Sequence, residues 1–150
     1  MEIRPITAAD IPALFAVRVA TRQNTLSLDE LNQLGITPES VRQLMRSSHR
    51  GWLCQDGDQV VGFAMGNGDT GEMWVIALLP AYEGRGIGAR LLQAVEDWLW
   101  SLDWQQAWLT TDTDTDLRAY GFYRKQGWQD WKIEHGDRYM TKNNPQRPQN

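Results

Sequence analysis

Two hydrophobic periods alternate along the chain, and the points where one gives way to the other mark its elements. Met1 to Ile6 fits a first strand. Thr7-Ala8-Ala9-Asp10 then has the hydroxyl-x-x-acid form of a helix N-terminus, with Ile11, Leu14 and Phe15 behind it at helical spacing. Ser27-Leu28-Asp29-Glu30 repeats that form ahead of Leu31 and Leu34. Thr37-Pro38 is a third start, with proline in the favoured first position. Residues 8–47 therefore read as helical with short breaks. From Gly51 the period shortens: Trp52-Leu53-Cys54, a turn at Asp56-Gly57 and Val60 to Met65 make a hairpin.

After a turn over Gly66 to Gly71, Glu72 to Leu79 is apolar on both faces beyond its first residue, as a strand in the middle of a sheet should be. Helical spacing then returns, with Ile87, Leu91, Leu92, Val95 and Leu99 on one face and Arg90, Gln93, Glu96 and Asp97 on the other. Ala107 to Thr111 is a further strand, and Asp116 to Gln126 a helix ended by Gly127. Trp128 to Glu134 and Arg138 to Thr141 are strands around the turn His135-Gly136-Asp137. The polar, proline-bearing stretch Lys142 to Asn150 has no period and is expected to be disordered, which leaves one domain over 1–141.

Composition narrows this picture. A chain of 150 residues is the size of one domain, and no apolar run approaches the roughly 20 residues of a membrane span. The N-terminus does not read as a signal peptide, so a soluble, cytoplasmic protein is expected. Cys54 is the single cysteine, which excludes an internal disulfide and reads as a small apolar strand residue. A net charge of -4 argues against a nucleic-acid partner and suits a cationic substrate.

The chemistry concentrates in Tyr82-Glu83-Gly84-Arg85-Gly86-Ile87-Gly88, between the central strand and the long helix. Three glycines in five residues let a ligand approach the backbone, and the helix start offers unpaired N–H groups to an anion. Arg85 and Arg90 can add charge, although each also fits a solvated helix position. A tight turn without a ligand is the alternative. A P-loop is excluded because no Lys-Ser or Lys-Thr follows the glycines. Gly84-x-Gly86-x-x-Ala89 fits a loose dinucleotide fingerprint, but that motif opens a parallel βαβ array, and here helices and antiparallel strands come first.

The segment resembles the Gln/Arg-x-x-Gly-x-Gly/Ala loop of the GNAT superfamily of acetyltransferases, with Glu83 in place of the usual Gln or Arg. Ala119-x-x-Phe122-Tyr123-x-x-x-Gly127-Trp128 resembles the family's second motif, and the likeness runs from Met1 to Thr141. It implies an α+β fold: a mostly antiparallel sheet of about six to seven strands, a parallel pair at the cofactor cleft, and about four flanking helices. It also implies acetyl-CoA as co-substrate, without a metal. Its pantetheine arm would lie along Ile76, Ala77 and Leu78, and its pyrophosphate on the N–H groups of Gly84, Arg85, Gly86, Ile87, Gly88 and Ala89. Asp116 stands where the family often has a cofactor-contacting Asn. Glu83 is expected to point to solvent.

Acetyl transfer to an amine needs a base and an acid. Glu72, at the start of the central strand, is similarly placed to the catalytic glutamate of the superfamily's histone acetyltransferases, and is either the general base, through water, or a solvated strand-edge residue. Tyr123 resembles the tyrosine that protonates the leaving thiolate, with Tyr120 one turn away in reserve. Asp112, Asp114 and Asp116 lack the Gly and Glu of a calcium loop. Thr115 or Asp116 is expected to cap the next helix, with Asp112 as a second reading for holding a cationic acceptor. His49 and His135 are expected on surface loops, Trp98, Trp100, Trp104 and Trp108 in packing, and Trp74 on a pocket wall. The resemblance implies that residues 20–40, including Thr21-Arg22-Gln23-Asn24-Thr25, wall the acceptor site. The expected activity is acetylation of a primary amine on a small molecule or peptide in a ternary complex; a catalytically silent acyl-CoA-binding module is the alternative. A homodimer is left open.

Overall fold

The three caps set the first helices. Thr7 N–H donates to Asp10 Oδ2 at 2.8 Å, starting a single 3-10 turn that runs into α1 (Ile11–Val19). Ser27 and Glu30 bond reciprocally, each at 3.1 Å, ahead of α2 (Leu28–Gln33). Thr37 and Ser40 do the same ahead of α3 (Pro38–Ser47). The computed structural model describes residues 1–22 and 26–146.

Among the described residues, seven strands form one sheet: β1 (Glu2–Pro5), β2 (His49–Asp56), β3 (Gln59–Asn67), β4 (Glu72–Leu78), β5 (Gln106–Asp112), β6 (Gln129–Glu134) and β7 (Asp137–Asn143), in the order β1-β2-β3-β4-β5-β7-β6. Every neighbouring pair is antiparallel except β4–β5, which is parallel and pairs only at Glu72 and Trp108. α4 (Ile87–Ser101) packs on one face, and α1 and α3 on the other. α5 (Arg118–Lys125) follows β5, so the described residues hold five α-helices against about four expected.

A bulge in β4 decides where the sheet opens. Met65 of β3 faces Val75 but Gly66 faces Met73, so Trp74 is an extra residue. A bulge bends its strand and resets which side chains face each layer. Met73 and Ile76 accordingly join the α4 layer, while Val75 and Ala77 join the α1 layer. β4 is central in the sheet, yet only Met73 and Ala77 are buried, contrary to the expectation of burial on both faces. Beyond Glu72 its β5 side borders a cleft instead of a strand.

Four further expectations are corrected. Glu96, assigned to the polar face of α4, is 1% exposed and accepts hydrogen bonds from Trp128 Nε1 at 3.0 Å and Lys142 Nζ at 2.7 Å. That lysine sits on β7, which passes the expected domain boundary at 141. Asn144 beyond it is buried, its N–H on Gln105 O at 2.8 Å and its side-chain amide on Trp104 O at 3.0 Å. Disorder from Lys142 is thus overturned as far as residue 146; residues 147–150 lie outside the described residues. The N-cap of α5 is Leu117, not Thr115 or Asp116. The three aspartates make local turns instead, with Asp114 N–H on Asp112 Oδ1 and Asp116 N–H on Asp114 Oδ1. Lastly, His49 is no surface loop residue but opens β2, 8% exposed.

Candidate functional site

Where β4 and β5 part lies a cleft of ≈ 630 Å³, walled by β4 from Trp74 to Leu78, the start of α4, Thr110 and Thr111 of β5, and one face of α5. Of the residues singled out from sequence, Ile76, Ala77, Leu78, Gly84, Gly86, Gly88, Ala89 and Tyr123 line it. Arg85 turns away, its guanidinium 4.9 Å from the Tyr82 ring centre, and the Ile87 side chain is buried in the α4 core, so these two can contribute only backbone. Asp116 is exposed and outside the cleft wall, as is Asp112.

The loop geometry requires its glycines. Gly84 and Gly86 have φ of 76° and 81°, the left-handed region, and a Cβ on either would meet nothing within 4 Å. Gly86 is the N-cap of α4, whose first intrahelical bond is Arg90 N–H to Gly86 O at 3.2 Å. The N–H groups of Gly86, Ile87, Gly88 and Ala89 therefore have no acceptor among the described residues. Together with the helix dipole they make an anion seat opening on the cleft. Alongside it, the β5-facing edge of Ile76 to Leu78 has no strand partner among the described residues and can accept an extended ligand arm.

Cations from three places line the cleft: Arg18 near the end of α1, Arg22 beyond it, and Arg118 and Lys125 on α5. They are scattered singly over two helices and the segment after α1, where no spacing distinguishes them from solvated charges. Glu83 does not face solvent as expected. Its side chain is 15% exposed, forms an ion pair with Arg22, and lies 3.4 Å from Arg118.

Tyr123 is buried against Phe122 and Trp128, with ring centres 5.4 and 6.4 Å away, and its hydroxyl has no hydrogen-bond partner among the described residues. Burial pushes the phenol well above its usual value, so it remains a proton donor at neutral pH. Tyr120 is committed elsewhere: its O–H donates to Asp130 at 2.9 Å beneath Arg138. Glu72 is half-buried, its carboxylate without a hydrogen bond or ion pair to the described residues, and burial raises its pKa. It does not line the cleft, but lies two residues from Trp74, which does. His49 pairs across β3 with Asn67, which pairs with Glu72, so all three share one sheet face. The His49 ring meets Trp74 edge-on at 4.8 Å, and its Nδ1 lies 2.7 Å from Ser48 Oγ. Burial lowers its pKa, against the opposing pull of Asp69, and favours neutral imidazole. Extending the inward alternation of Leu53 and Gly51 back by two residues would have placed it.

A second, apolar cavity of ≈ 160 Å³ lies between the sheet and α1–α3, and shares Arg18, Trp74 and Val75 with the cleft. Trp74 thus has the pocket position expected of it. Trp100 is buried, Trp98 packs on the α4 core, and the Trp104 and Trp108 indoles donate to Gly68 O and Thr70 O. Gln23, Asn24 and Thr25 of the expected acceptor wall lie outside the described residues. No group of three or more His, Cys, Asp or Glu able to hold a metal occurs among the described residues.

The family model described as "Acetyltransferase (GNAT) family" matches residues 20–128. No curated protein matches by sequence. Among solved structures, the fold is similar to that of PaiA N-acetyltransferase from Thermoplasma acidophilum in complex with coenzyme A, with TM-score 0.81 and 18% identity over 96% of this chain and 100% of that one. It is similar to ribosomal-protein-alanine N-acetyltransferase from Brucella melitensis, with TM-score 0.74 and 20% identity over 95% and 99% of the two chains. An aminoglycoside 6'-acetyltransferase type Ii gives TM-score 0.75 and 20% identity over 95% and 97%.

Proposed function

The chain belongs to the GNAT family of acetyltransferases, and from that premise we propose that it transfers an acetyl group from acetyl-CoA to a primary amine by direct attack in a ternary complex. The observation that carries this reading is the meeting, in one cleft, of a left-handed glycine loop at a helix start, an unpaired strand edge and a buried tyrosine hydroxyl. The first suits a pyrophosphate, the second the amide groups of a pantetheine arm, and the third a leaving thiolate. The bound donor supplies an activated acetyl thioester.

The chain's own residues would manage the protons. An acceptor ammonium gives one proton to Glu72 through water, and the freed amine attacks the thioester carbonyl. The C–S bond breaks as the C–N bond forms, the nitrogen releases its second surplus proton to solvent, and the thiolate takes a proton from Tyr123, which regains one from water. A desolvated carboxyl with a raised pKa is a stronger base than an ordinary glutamate, and this supports Glu72 despite its place outside the cleft wall. That same place is what favours the second reading, a silent acyl-CoA-binding module.

Thermal shift with acetyl-CoA, coenzyme A and NAD, followed by thiol release against amines, tests both readings. Stabilisation by acetyl-CoA with amine-dependent thiol release is expected. Stabilisation by NAD alone would overturn the proposal, and binding without release to any amine would leave the silent module.

A further inference from the structure

We infer that the acceptor is a hydrophobic α-amino acid, its side chain in the apolar cavity between the sheet and α1–α3 and its carboxylate at Arg18. The inference rests on the acetyltransferase reading and names the substrate class of that site.

The cavity of ≈ 160 Å³ is walled chiefly by Leu14, Phe15, Leu31, Phe63 and Met65. Apolar cavities of about 150 Å³ admit a benzene ring, so one aryl or branched alkyl group fills this one. It is not an isolated packing defect, because Arg18, Trp74 and Val75 line both it and the cleft. Trp74 is the bulge residue of β4, so the junction lies beside the unpaired strand edge and on the sheet face that carries Glu72.

Charge narrows the occupant further. Among the described residues lining the cavity, Arg18 is the only ionisable one, and no carboxylate is present. A polyamine or an amino sugar would bring a second ammonium into apolar walls next to a guanidinium, a desolvation cost without a compensating partner. The chain's net charge of -4 is therefore no guide to this site. Arg18 is half-buried, and burial lowers its pKa, so a carboxylate is a favourable neighbour for its guanidinium in addition to the contacts it already makes. An α-amino acid attaches carboxylate, apolar side chain and amine to a single carbon. With the first at Arg18 and the second in the cavity, the amine is left at the junction with the cleft.

The test is thiol release at saturating acetyl-CoA with phenylalanine and leucine, the matching amino alcohols phenylalaninol and leucinol, serine, spermidine and kanamycin. The expected result is a kcat/KM for phenylalanine or leucine about tenfold or more above all the others, the scale of one charge-assisted hydrogen bond. In Arg18→Met the acid-to-alcohol ratio falls toward one. In Val41→Trp, which fills the cavity, KM for phenylalanine rises; the acetyl-CoA thermal shift of each variant reports that it has folded. Equal use of acid and alcohol, preference for serine or a polycation, or no release from any amino acid by a protein that acetyl-CoA stabilises would overturn the inference and leave the donor site standing. Absence of acetyl-CoA stabilisation would instead overturn the acetyltransferase reading itself.

Discussion

Gly86→Ala separates the conformational role of the glycine loop from its binding role. Gly86 has φ of 81°, and an added Cβ would meet no atom of the described residues within 4 Å, so the substitution costs only the left-handed dihedral, about 1–2 kcal/mol. At about 2.1 cal/mol/K per residue, unfolding this chain releases about 0.3 kcal/mol/K, so the ligand-free Tm should fall by roughly 3–6 °C. Gly86 lines the cleft, where the new methyl would meet the pyrophosphate of the proposed donor. Gly57 supplies the control: its φ is 60°, its Cβ also meets nothing, and it lies at the hairpin turn away from the cleft. Acetyl-CoA at about 100 times its Kd should stabilise the native protein by about 2.7 kcal/mol, roughly 9 °C. Gly57→Ala should lose stability without losing that increment, while a tenfold weaker Kd in Gly86→Ala cuts it to about half. Differential scanning fluorimetry across an acetyl-CoA titration measures both. Equal increments in the two variants would refute the assignment of the anion seat to this loop.

Tyr123→Phe removes a hydroxyl that has no hydrogen-bond partner among the described residues and keeps the ring against Trp128, so Tm and acetyl-CoA binding should hold while kcat falls about 10²–10⁴-fold in thiol release; unchanged turnover would remove Tyr123 from the mechanism. Glu72 has a raised pKa, so the fold holds its proton more tightly than the unfolded chain, and stability declines as pH rises from the ordinary carboxylate range through the raised value. Glu72→Gln should therefore have a higher Tm than the parent at pH 7–8, no advantage below about pH 4, and no acidic limb in its activity profile; equal Tm at pH 7–8 would refute desolvation of this carboxyl. Glu96→Ala strands Trp128 Nε1, leaves the Lys142 ammonium with only the Gln126 carbonyl and no counter-charge, and should cost about 3–5 kcal/mol in urea denaturation, most of it recovered in Glu96→Leu with Lys142→Met; a loss below about 1 kcal/mol would mean the cluster is not buried in solution.

Local rules carried the secondary structure because each is satisfied within a few residues: the three caps sit where the hydroxyl-x-x-polar spacing puts them, and the buried face of α4 is the one its period marks. What escaped depends on partners distant in sequence. Glu96 shares a helical face with Gln93 and Asp97, and only the approach of β7 turns it inward, with Lys142 46 positions away. The cleft was legible only through the resemblance. An apolar residue facing an open ligand site looks in sequence like one facing a neighbouring strand, so the hydrophobic period alone makes Ile76 and Leu78 core, and one extra residue in β4 leaves no trace in composition.

Glu83 brings these two causes together. In the loop it is a carboxylate where the resembling family has Gln or Arg, and by itself it would repel a pyrophosphate. In the fold it is paired with Arg22, 61 positions away, and lies within 4 Å of Arg118, so the three groups together carry one net positive charge at the cleft mouth. The cation missing from the loop is supplied by two other elements, and the carboxylate ties both to the site. A departure from the motif at one position is thereby matched by two arginines that no local pattern would have linked to it.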